Sequence, residues 1–365
     1  MTGQFYVPTK IVTGTGCVSA QGGLMAPLGT HALVVTGARS AKACGALDHV
    51  TAALTANGQS FTVFDGALPN PTVESVYGGV ALAGECGADF VVAIGGGSPM
   101  DTAKAIALVA AQGIPKEALF SGKYGDRALP LVCIPTTSGT GSEVTQYSIL
   151  TNDTAKTKTS LATPLLFPRI AYLDGAYTAG LPHRVTVNTA IDAFSHCAEG
   201  MLSNLSGEIS DALAKEGLRR ISDCFDALAE DSLTPKQRDS LMLASTLGGM
   251  VIAVTGTTAA HAMGYSLTYF RHIEHGRANG LLLVAFLKFC EGTIPERIAE
   301  LLTACGCSTP DELGAALDRL LGEKESLTDQ EADHFASLAI RTGNIAKCLV
   351  RPTEADLRAM LRQSL

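Results

Sequence analysis

Hydrophobic residues in the first half of the chain come in short runs that are separated by helical patterns. Five apolar runs end at a glycine, a proline or a polar residue, and they cover residues 32–36, 61–64, 90–94, 131–134 and 170–173. Between them, apolar residues recur at helical spacing, for example over residues 73–87 and 100–111. Continuous apolar strands that alternate with helices are typical of a parallel sheet covered on both faces. We therefore predict an α/β domain over residues 1–178.

The pattern changes after Thr178, where strand signals disappear and helical periodicity dominates. A threonine in a helix-capping context precedes several of the predicted helices, and these threonines are Thr234, Thr309, Thr328 and Thr353. Threonine followed by proline, or by an acidic residue three positions later, is a common start of a helix. The pattern thus predicts an all-helical domain over residues 179–365. Since no low-complexity linker separates the domains, we expect them to pack around a cleft.

Composition excludes several classes of protein. The 365 residues include 27 basic and 35 acidic side chains, and a net charge of −8 argues against a nucleic-acid partner. The segment 241–270 has no charged residue except for its histidine, but glycines and threonines interrupt it, so we predict buried helices and no membrane span. The N-terminus has no pattern of a signal peptide. With ten scattered cysteines and no Cys-x-x-Cys pair, reduced thiols and a cytoplasmic location are expected.

A glycine-rich loop follows the third apolar run. The residues Gly95-Gly96-Gly97-Ser98 come directly after it and open the next helical pattern. Glycines let the backbone approach a phosphate, and the start of a helix attracts its negative charge. We expect Asp101 in the first turn of this helix, where a carboxylate suits the helix dipole. A tight turn without a ligand is the alternative, and the spacing alone names no cofactor.

A second polar loop over residues 135–143 follows the next apolar run and contains five hydroxyls and two glycines. It is either a plain exposed turn or a source of short donors for a ribose, phosphate or amide. The binding alternative is favoured because open α/β sheets bind ligands at the carboxyl ends of their strands.

The end of the first apolar run bears on the type of nucleotide. The residues after it are Gly37, Ala38, Arg39, Ser40, Ala41 and Lys42, with no acidic residue among them. Sites for NAD use an acidic residue to bond the ribose 2′-hydroxyl, whereas NADP sites prefer small and basic residues. If the domain binds a dinucleotide, Arg39, Ser40 and Lys42 could hold a 2′-phosphate and favour NADP(H) over NAD(H). A basic surface loop without a ligand is the alternative.

The helical half contains a set of residues with metal-ligand chemistry. Asp192 and His196 are four positions apart in a helical pattern, so they share one face of the helix. His261 lies in the segment without charged residues, and His275 stands at the start of another apolar helix. A single buried histidine is usually structural, but one carboxylate and three imidazoles together suit a divalent first-row metal.

These motifs together resemble those of the iron-containing, or group III, alcohol dehydrogenase family. The matching segments are residues 95–104, 135–145 and 192–196, and His261 followed fourteen residues later by His275-Gly276. The resemblance implies an N-terminal, Rossmann-like dinucleotide-binding domain with a parallel sheet. It also implies an all-α, metal-binding C-terminal domain, an architecture shared with dehydroquinate synthase.

The resemblance also implies roles for individual residues. The implied ligands of Fe(II), or of zinc in some members, are Asp192, His196, His261 and His275. The implied cofactor contacts are Asn70, Gly96, Gly97, Ser98, Thr136, Thr137, Ser142 and Lys158. The expected activity is hydride transfer between NADP(H), or NAD(H), and a small alcohol or aldehyde that the sequence does not name. A homodimer or a larger homo-oligomer is expected.

One position departs from the family pattern. Many members carry a further histidine, assigned to proton relay or to the substrate pocket, four residues after the first histidine of the later pair, and here that residue is Tyr265. A phenol can relay a proton, although its ordinary pKa of about 10 is far above the value of about 6.5 for imidazole. Because it occupies the position of that histidine, Tyr265 is the candidate catalytic side chain, and a role in shaping the pocket is the alternative.

Two other functions fit parts of the sequence. A dehydroquinate synthase-like lyase would share the architecture, and Arg271 and Arg277 flank His275, but the loop at 135–145 fits the dehydrogenases better. A nucleotide-binding sensor without catalysis would leave the four metal-ligand residues unexplained. Among oxidoreductases, glycerol dehydrogenase and maleylacetate reductase are close relatives in fold, and the set of Asp192, His196, His261 and His275 favours the alcohol dehydrogenases over maleylacetate reductase.

Overall fold

A computed structural model describes residues 4–152 and 157–365 of the chain. It contains two compact units, of which one is Val7–Leu181 and the other is Pro182–Leu365 together with residues 4–6. The boundary predicted from the sequence follows Thr178, whereas the division between the units falls at Leu181 and Pro182.

A six-stranded parallel sheet forms the centre of the first unit. The strands of this unit are β1 Lys10–Thr13, β2 His31–Thr36, β3 Ser60–Phe64, β4 Phe90–Gly95, β5 Leu131–Pro135, β6 Tyr147–Asn152, β7 Thr157–Ala162 and β8 Ile170–Leu173. The order in the sheet is β1-β8-β5-β4-β2-β3, and β6 and β7 form a separate antiparallel pair. All five predicted strands are therefore confirmed, whereas β1, β6 and β7 were not predicted.

Helices cover both faces of the sheet, as predicted. They are α1 Cys17–Gln21, α2 Ser40–Ala43, α3 Ala46–Ala56, α4 Val73–Cys86 and α5 Gly97–Gln112. Successive residues of the central strands point to opposite faces, so that Val91 and Ala93 pack in one core with α4 and α5. Phe90 and Val92 pack in a second core with α1 and α3. This burial on both sides explains why the strands are apolar throughout.

Three loops meet at the carboxyl edge of the sheet because their strands are neighbours. Thr36 at the end of β2 pairs with Ile94 of β4. Gly95 at the end of β4 pairs with Pro135 of β5. The glycine loop thus lies between the loop after β2 and the polar loop after β5, where open parallel sheets bind their ligands.

The second unit is built from helices around one hydrophobic core. They are α6 His183–Met201, α7 Glu208–Ser222, α8 Phe225–Ala229, α9 Pro235–Thr255, α10 Ala259–Arg271, α11 His275–Glu291, α12 Pro295–Ala304, α13 Pro310–Leu321, α14 Asp329–Ala339 and α15 Glu354–Ser364. The four predicted threonine caps are confirmed, since each accepts a hydrogen bond from the third residue of its helix.

Within the described residues, no single helix is long and apolar enough to cross a membrane. The helices α9 and α10 pass the test of length and composition only as a pair, and the chain bends by 109° between them. Most of their residues are buried in the helical unit, as the sequence predicted for segment 241–270.

Candidate metal centre and cofactor loops

Three helices of the second unit carry the four predicted metal ligands. Asp192 and His196 lie one turn apart on α6, His261 lies in the first turn of α10, and His275 is the first residue of α11. Gly276 permits the approach of α11 to α6, because a Cβ atom there would lie 1.8 Å from the carbonyl oxygen of Asn188.

The three imidazoles converge on one carboxylate oxygen. The Nε2 atoms of His196, His261 and His275 lie 3.8, 3.7 and 4.0 Å from Oδ1 of Asp192. The first two imidazoles and the carboxylate are almost fully buried, whereas the side chain of His275 is 29% exposed. The cluster is therefore accessible beside His275.

Three of the four residues form the tightest group. The ligand atoms of Asp192, His261 and His275 all lie within 4.8 Å of one another, an arrangement that could hold a metal ion. His196 lies outside that group, although its ring stacks on that of His261 with 5.0 Å between the centroids. The structure thus brings all four residues to one place, with His196 at its side.

The amide of Asn279 tests whether these residues fit a cation. Its Nδ2 atom lies 3.0 Å from Asp192 Oδ1, 3.0 Å from His261 Nε2 and 3.3 Å from His275 Nε2. Two amide hydrogens cannot satisfy three acceptors at once, whereas one cation can. The donor set of one carboxylate and neutral imidazoles therefore fits a divalent metal.

The charges of the cluster favour an ionised carboxylate. Burial alone would raise the pKa of Asp192, but the imidazoles of His196, His275 and His261 and the amide of Asn279 outweigh it and hold that pKa below its usual value. Asp192 is therefore ionised at neutral pH, as a metal ligand must be.

A second buried carboxylate lies behind the cluster. Glu199 of α6 is fully buried, and its Oε2 atom is hydrogen-bonded to Nδ1 of His261. Burial would raise the pKa of Glu199, but His261 and Thr258 outweigh it and lower that pKa. Burial would lower the pKa of His261, but Glu199 outweighs it and raises that pKa.

The predicted catalytic side chain, Tyr265, lies one turn after His261 on α10. Its ring lies parallel to that of His275, with 5.9 Å between the centroids and an interplanar angle of 3°. Burial raises the pKa of the Tyr265 phenol, and hydrogen bonds with Asn344 and Thr257 only partly offset this. The phenol therefore keeps its proton at neutral pH. His272, the other residue considered for a relay, is exposed and ends α10 with a φ of 54°.

The glycine loop and the polar loop touch each other in the first unit. A Cβ atom on Gly96 would lie 3.0 Å from Oγ1 of Thr137, and one on Gly97 would lie 2.7 Å from Cγ2 of Thr140. Ser98 lies in the first turn of α5. Thr136 is buried, and its hydroxyl has no hydrogen-bond partner within the described part of the chain. The absence of side chains at Gly96 and Gly97 therefore allows the two loops to pack closely together.

The predicted position of Asp101 in the first turn is wrong. Helix α5 begins at Gly97, and its first turn contains no acidic residue. Asp101 instead accepts a hydrogen bond of 2.9 Å from the hydroxyl of Ser142 in the polar loop. Burial raises the pKa of Asp101 to about 6, although Lys104 and Ser142 act in the opposite direction.

Lys104 ties α5 to the polar loop. Its buried ammonium group lies within hydrogen-bond distance of five oxygens of Ser142, Thr145 and Tyr147, at 2.6–3.1 Å. Burial lowers the pKa of Lys104, and the nearby Asp101 only partly offsets this. One cation thus fixes the second loop against the helix that the glycine loop opens.

The remaining predicted cofactor residues lie around these loops. Gly37 follows β2, with its Cβ position 3.9 Å from Pro99 of α5, and Arg39 and Ser40 follow it on the exposed surface. Asn70 is exposed with a φ of 57°, and its carbonyl accepts a hydrogen bond from Thr151. Lys158 of β7 lies close enough to Asp101 to lower the pKa of that carboxyl. All predicted cofactor residues are thus in the first unit.

Two family models match almost the whole chain. Residues 8–175 match the model of the iron-containing alcohol dehydrogenases, and residues 186–363 match the C-terminal model of the same family. The chain belongs to the iron-containing alcohol dehydrogenase family.

Individual relatives and solved structures are similar to the chain over almost its whole length. Alcohol dehydrogenase 4 of Schizosaccharomyces pombe is 30% identical, over 99% of this chain and 89% of the relative. The solved iron-containing alcohol dehydrogenase of Thermotoga maritima is 36% identical, with a TM-score of 0.92 and coverage of 100% of this chain and 99% of that chain. The sulfoacetaldehyde reductase of Bifidobacterium kashiwanohense, solved in complex with NAD+, is 27% identical, with a TM-score of 0.90 and coverage of 100% and 99%.

Three residues of this dehydrogenase were missed in the sequence, although weak signals exist. Glu199 lies three positions after His196, and Asn279 lies four positions after His275, so each shares a helix face with a candidate ligand. Lys104 is a lysine within an apolar helix, which is rare unless its charge is paired. None of these patterns identifies the partner on another element.

Replacing Gly276 with alanine tests the close helix crossing of the dehydrogenase. The new methyl group would collide with the backbone of Asn188 at 1.8 Å, so α11 must shift away from α6. We expect a loss of about 1–3 kcal/mol in the free energy of unfolding, as for an overpacked core, and weaker zinc binding. Urea unfolding and titration with Zn²⁺ measure the two effects.

Gly314→Ala is the matched control, since its methyl group would lie at an ordinary 3.4 Å from Val284. It also adds a methyl group to a helix, and we expect stability and zinc affinity close to the wild type. Equal behaviour of the two variants would contradict a tight crossing at Gly276.

Proposed function

We propose that this dehydrogenase reduces a small aldehyde, or oxidises the corresponding alcohol, with NADP(H) and a divalent metal held by Asp192, His196, His261 and His275. The observation that carries the proposal is the convergence of three imidazole nitrogens on one oxygen of Asp192 at 3.7–4.0 Å. Fe(II) is the metal that we propose first, because the chain belongs to the iron-containing alcohol dehydrogenases. Zn(II) is the alternative, because it also accepts imidazole and carboxylate ligands.

The metal, when bound, supplies Lewis acidity that polarises the oxygen of the substrate. The exposed side of His275 and the neighbouring ring of Tyr265 support entry of the substrate at that side. We propose that Tyr265 either passes a proton or shapes the pocket there. Its raised pKa keeps the phenol protonated, so it acts as a donor, and Thr257 and Asn344 orient its hydroxyl.

The cofactor is proposed to bind at the carboxyl edge of the sheet in the first unit, the unit we propose as the dinucleotide-binding domain. The backbone of Gly96, Gly97 and Ser98 at the start of α5 is proposed to bind the pyrophosphate, where the helix dipole favours an anion. The other proposed contacts come from the polar loop, the loop after β2 and the residues beside them, and are Gly37, Arg39, Ser40, Asn70, Asp101, Thr136, Thr137, Ser142 and Lys158.

The activity is tested with protein loaded anaerobically with Fe(II) or Zn(II) and with metal-free protein as the control. Oxidation of NADPH and of NADH is followed with a series of short aldehydes. Metal-dependent turnover supports the proposal, and the faster cofactor decides the nucleotide. Absence of turnover with both cofactors, in protein that demonstrably holds metal, would contradict simple aldehyde reduction.

The preference for NADP(H) rests on Arg39 and its neighbours, and the relative solved with NAD+ represents the alternative. We expect Arg39→Ala to raise the KM for NADPH by about 10- to 100-fold, the size of a lost hydrogen bond to a charged group, and to leave the KM for NADH unchanged. Arg127→Ala, at another exposed arginine of the same unit, is the control. An equal change for both cofactors would argue against a 2′-phosphate site at Arg39.

We also propose a cytoplasmic location for the enzyme. All ten cysteines are free, which suits the reducing cytoplasm. We also propose a homodimer or a larger homo-oligomer, on the basis of the family alone.

A further inference from the structure

The buried carboxylate of Glu199 has two separate sets of donors. Its Oε1 atom accepts hydrogen bonds from the backbone N–H of Thr258 at 2.9 Å, from the hydroxyl of Thr258 at 2.8 Å and from the backbone N–H of His261 at 3.3 Å. Its Oε2 atom accepts from Nδ1 of His261. Glu199 thus caps the start of α10 with one oxygen and holds the ring of His261 with the other.

The second contact determines which ring nitrogen of His261 carries the proton. An ionised carboxylate has only acceptor oxygens, so the proton of the neutral imidazole must lie on Nδ1. The lone pair is then on Nε2, the atom that lies 3.7 Å from Oδ1 of Asp192. This is the tautomer that a metal ligand needs, and an outer carboxylate commonly fixes it.

Charge balance points to the same group. Asp192 and Glu199 are both buried, and their ion-pair partners in the described residues are histidines, with no lysine or arginine among them. Two carboxylates whose ion-pair partners are all imidazoles leave a net charge of about −2 when the rings are neutral, which is the charge that a divalent ion cancels.

We propose that Glu199 is a positioning residue of the metal centre, which holds His261 in the Nδ1–H tautomer and supplies the second negative charge that retains the divalent ion. The proposal rests on the proposed role of His261 as a ligand. It distinguishes Glu199 from a simple helix cap, because a cap would require only the contacts of Oε1.

The first measurement needs no variant at Glu199. Histidine labelled with 15N in metal-free protein reports the tautomer by NMR at alkaline pH, and the resonances of His261 are assigned by their loss in His261→Gln. We expect Nδ1–H for His261. A ring that carries its proton on Nε2 would overturn the proposal even if every variant of Glu199 failed to fold.

Glu199→Gln is the decisive variant because an amide offers an acceptor to only one side. The backbone N–H and hydroxyl of Thr258 and the backbone N–H of His261 all need the acceptor oxygen of the amide. The NH2 group of the amide is then left facing Nδ1 of His261 and forces the ring proton onto Nε2. We expect the neutral ring of His261 to change to the Nε2–H tautomer. We also expect the affinity for Zn²⁺ to fall by about 10- to 100-fold, which is the size found for outer-shell partners of metal ligands. Competition with a chromophoric chelator measures the affinity.

Ser203→Ala is the control, since it removes the hydrogen bond to the carbonyl of Thr255 and the one from the backbone N–H of Leu205, and it leaves the cluster untouched. Unchanged tautomer and zinc affinity in Glu199→Gln, with a wild type that binds zinc through His261, would overturn the role of Glu199 alone. If neither the wild type nor Glu199→Gln binds zinc, the proposed metal centre itself would be overturned.

Discussion

Replacement of His261 by alanine should abolish metal-dependent turnover and leave cofactor binding in the first unit intact. The ring is 2% exposed, and its Nε2 atom belongs to the group of ligand atoms that lie within 4.8 Å of one another. Loss of an inner ligand should weaken metal binding by more than the roughly 100-fold upper value for outer-shell partners. The variant should also lose about 3–5 kcal/mol of stability, because the Glu199 charge is left buried without its partner.

Metal content, anaerobic turnover and NADPH fluorescence titration separate these effects. His334→Ala removes an exposed histidine on α14 of the same unit, so it is expected to keep its metal and its turnover. Full turnover of His261→Ala with one metal per chain would contradict the assignment of this ligand.

Replacement of Lys104 by methionine should have the largest effect on the first unit. It removes a buried cation that contacts five oxygens of Ser142, Thr145 and Tyr147, and it deprives Asp101 of the stronger of its two nearby opposite charges. Breaking a buried pair by deleting one partner costs about 3–5 kcal/mol. We also expect weaker NADPH binding, because the polar loop is no longer fixed against α5.

The loss of stability should depend on pH. The pKa of Asp101 is raised to about 6, so its protonated form favours the folded state, and ionisation destabilises that state as the pH rises from about 4 to 6. Without Lys104 the ionised carboxylate keeps only the weaker influence of Lys158, so the loss of stability in Lys104→Met should be larger at pH 8 than at pH 5. Urea unfolding at both pH values measures it, with the exposed Lys123→Met as the control. A penalty that does not change with pH would contradict the electrostatic coupling.

The strands that the sequence predicted correctly are those that are buried on both faces. Runs such as residues 90–94 are apolar throughout because each face of the sheet has its own core. Strand β1 has one buried residue, Val12, and β6 alternates between buried and partly exposed positions, so neither presents a continuous apolar run. The error at Asp101 arose because α5 begins at Gly97, within the glycine loop itself.

The metal cluster was visible in the sequence as residue types, since Asp192 and His196 share one helix face, His261 lies in an uncharged segment and His275 stands at the start of an apolar helix. The supporting residues were not visible in the same way. Glu199 reaches His261 across a sequence separation of 62 residues, and Asn279 reaches Asp192 across 87. Such contacts follow from how α6, α10 and α11 cross, and helical periodicity does not specify a crossing.

Helix α6 carries two proposed ligands and the carboxylate that holds a third ligand on α10. The complete donor set therefore exists only after α6, α10 and α11, which carries His275, have docked, and the unfolded chain has no equivalent site. A ligand that binds only the folded state shifts the folding equilibrium by mass action, by about 2.7 kcal/mol at a concentration 100 times its Kd. Metal supply would then govern how much of the helical unit is folded in the cell, and thereby the lifetime of the enzyme against proteolysis as well as its activity.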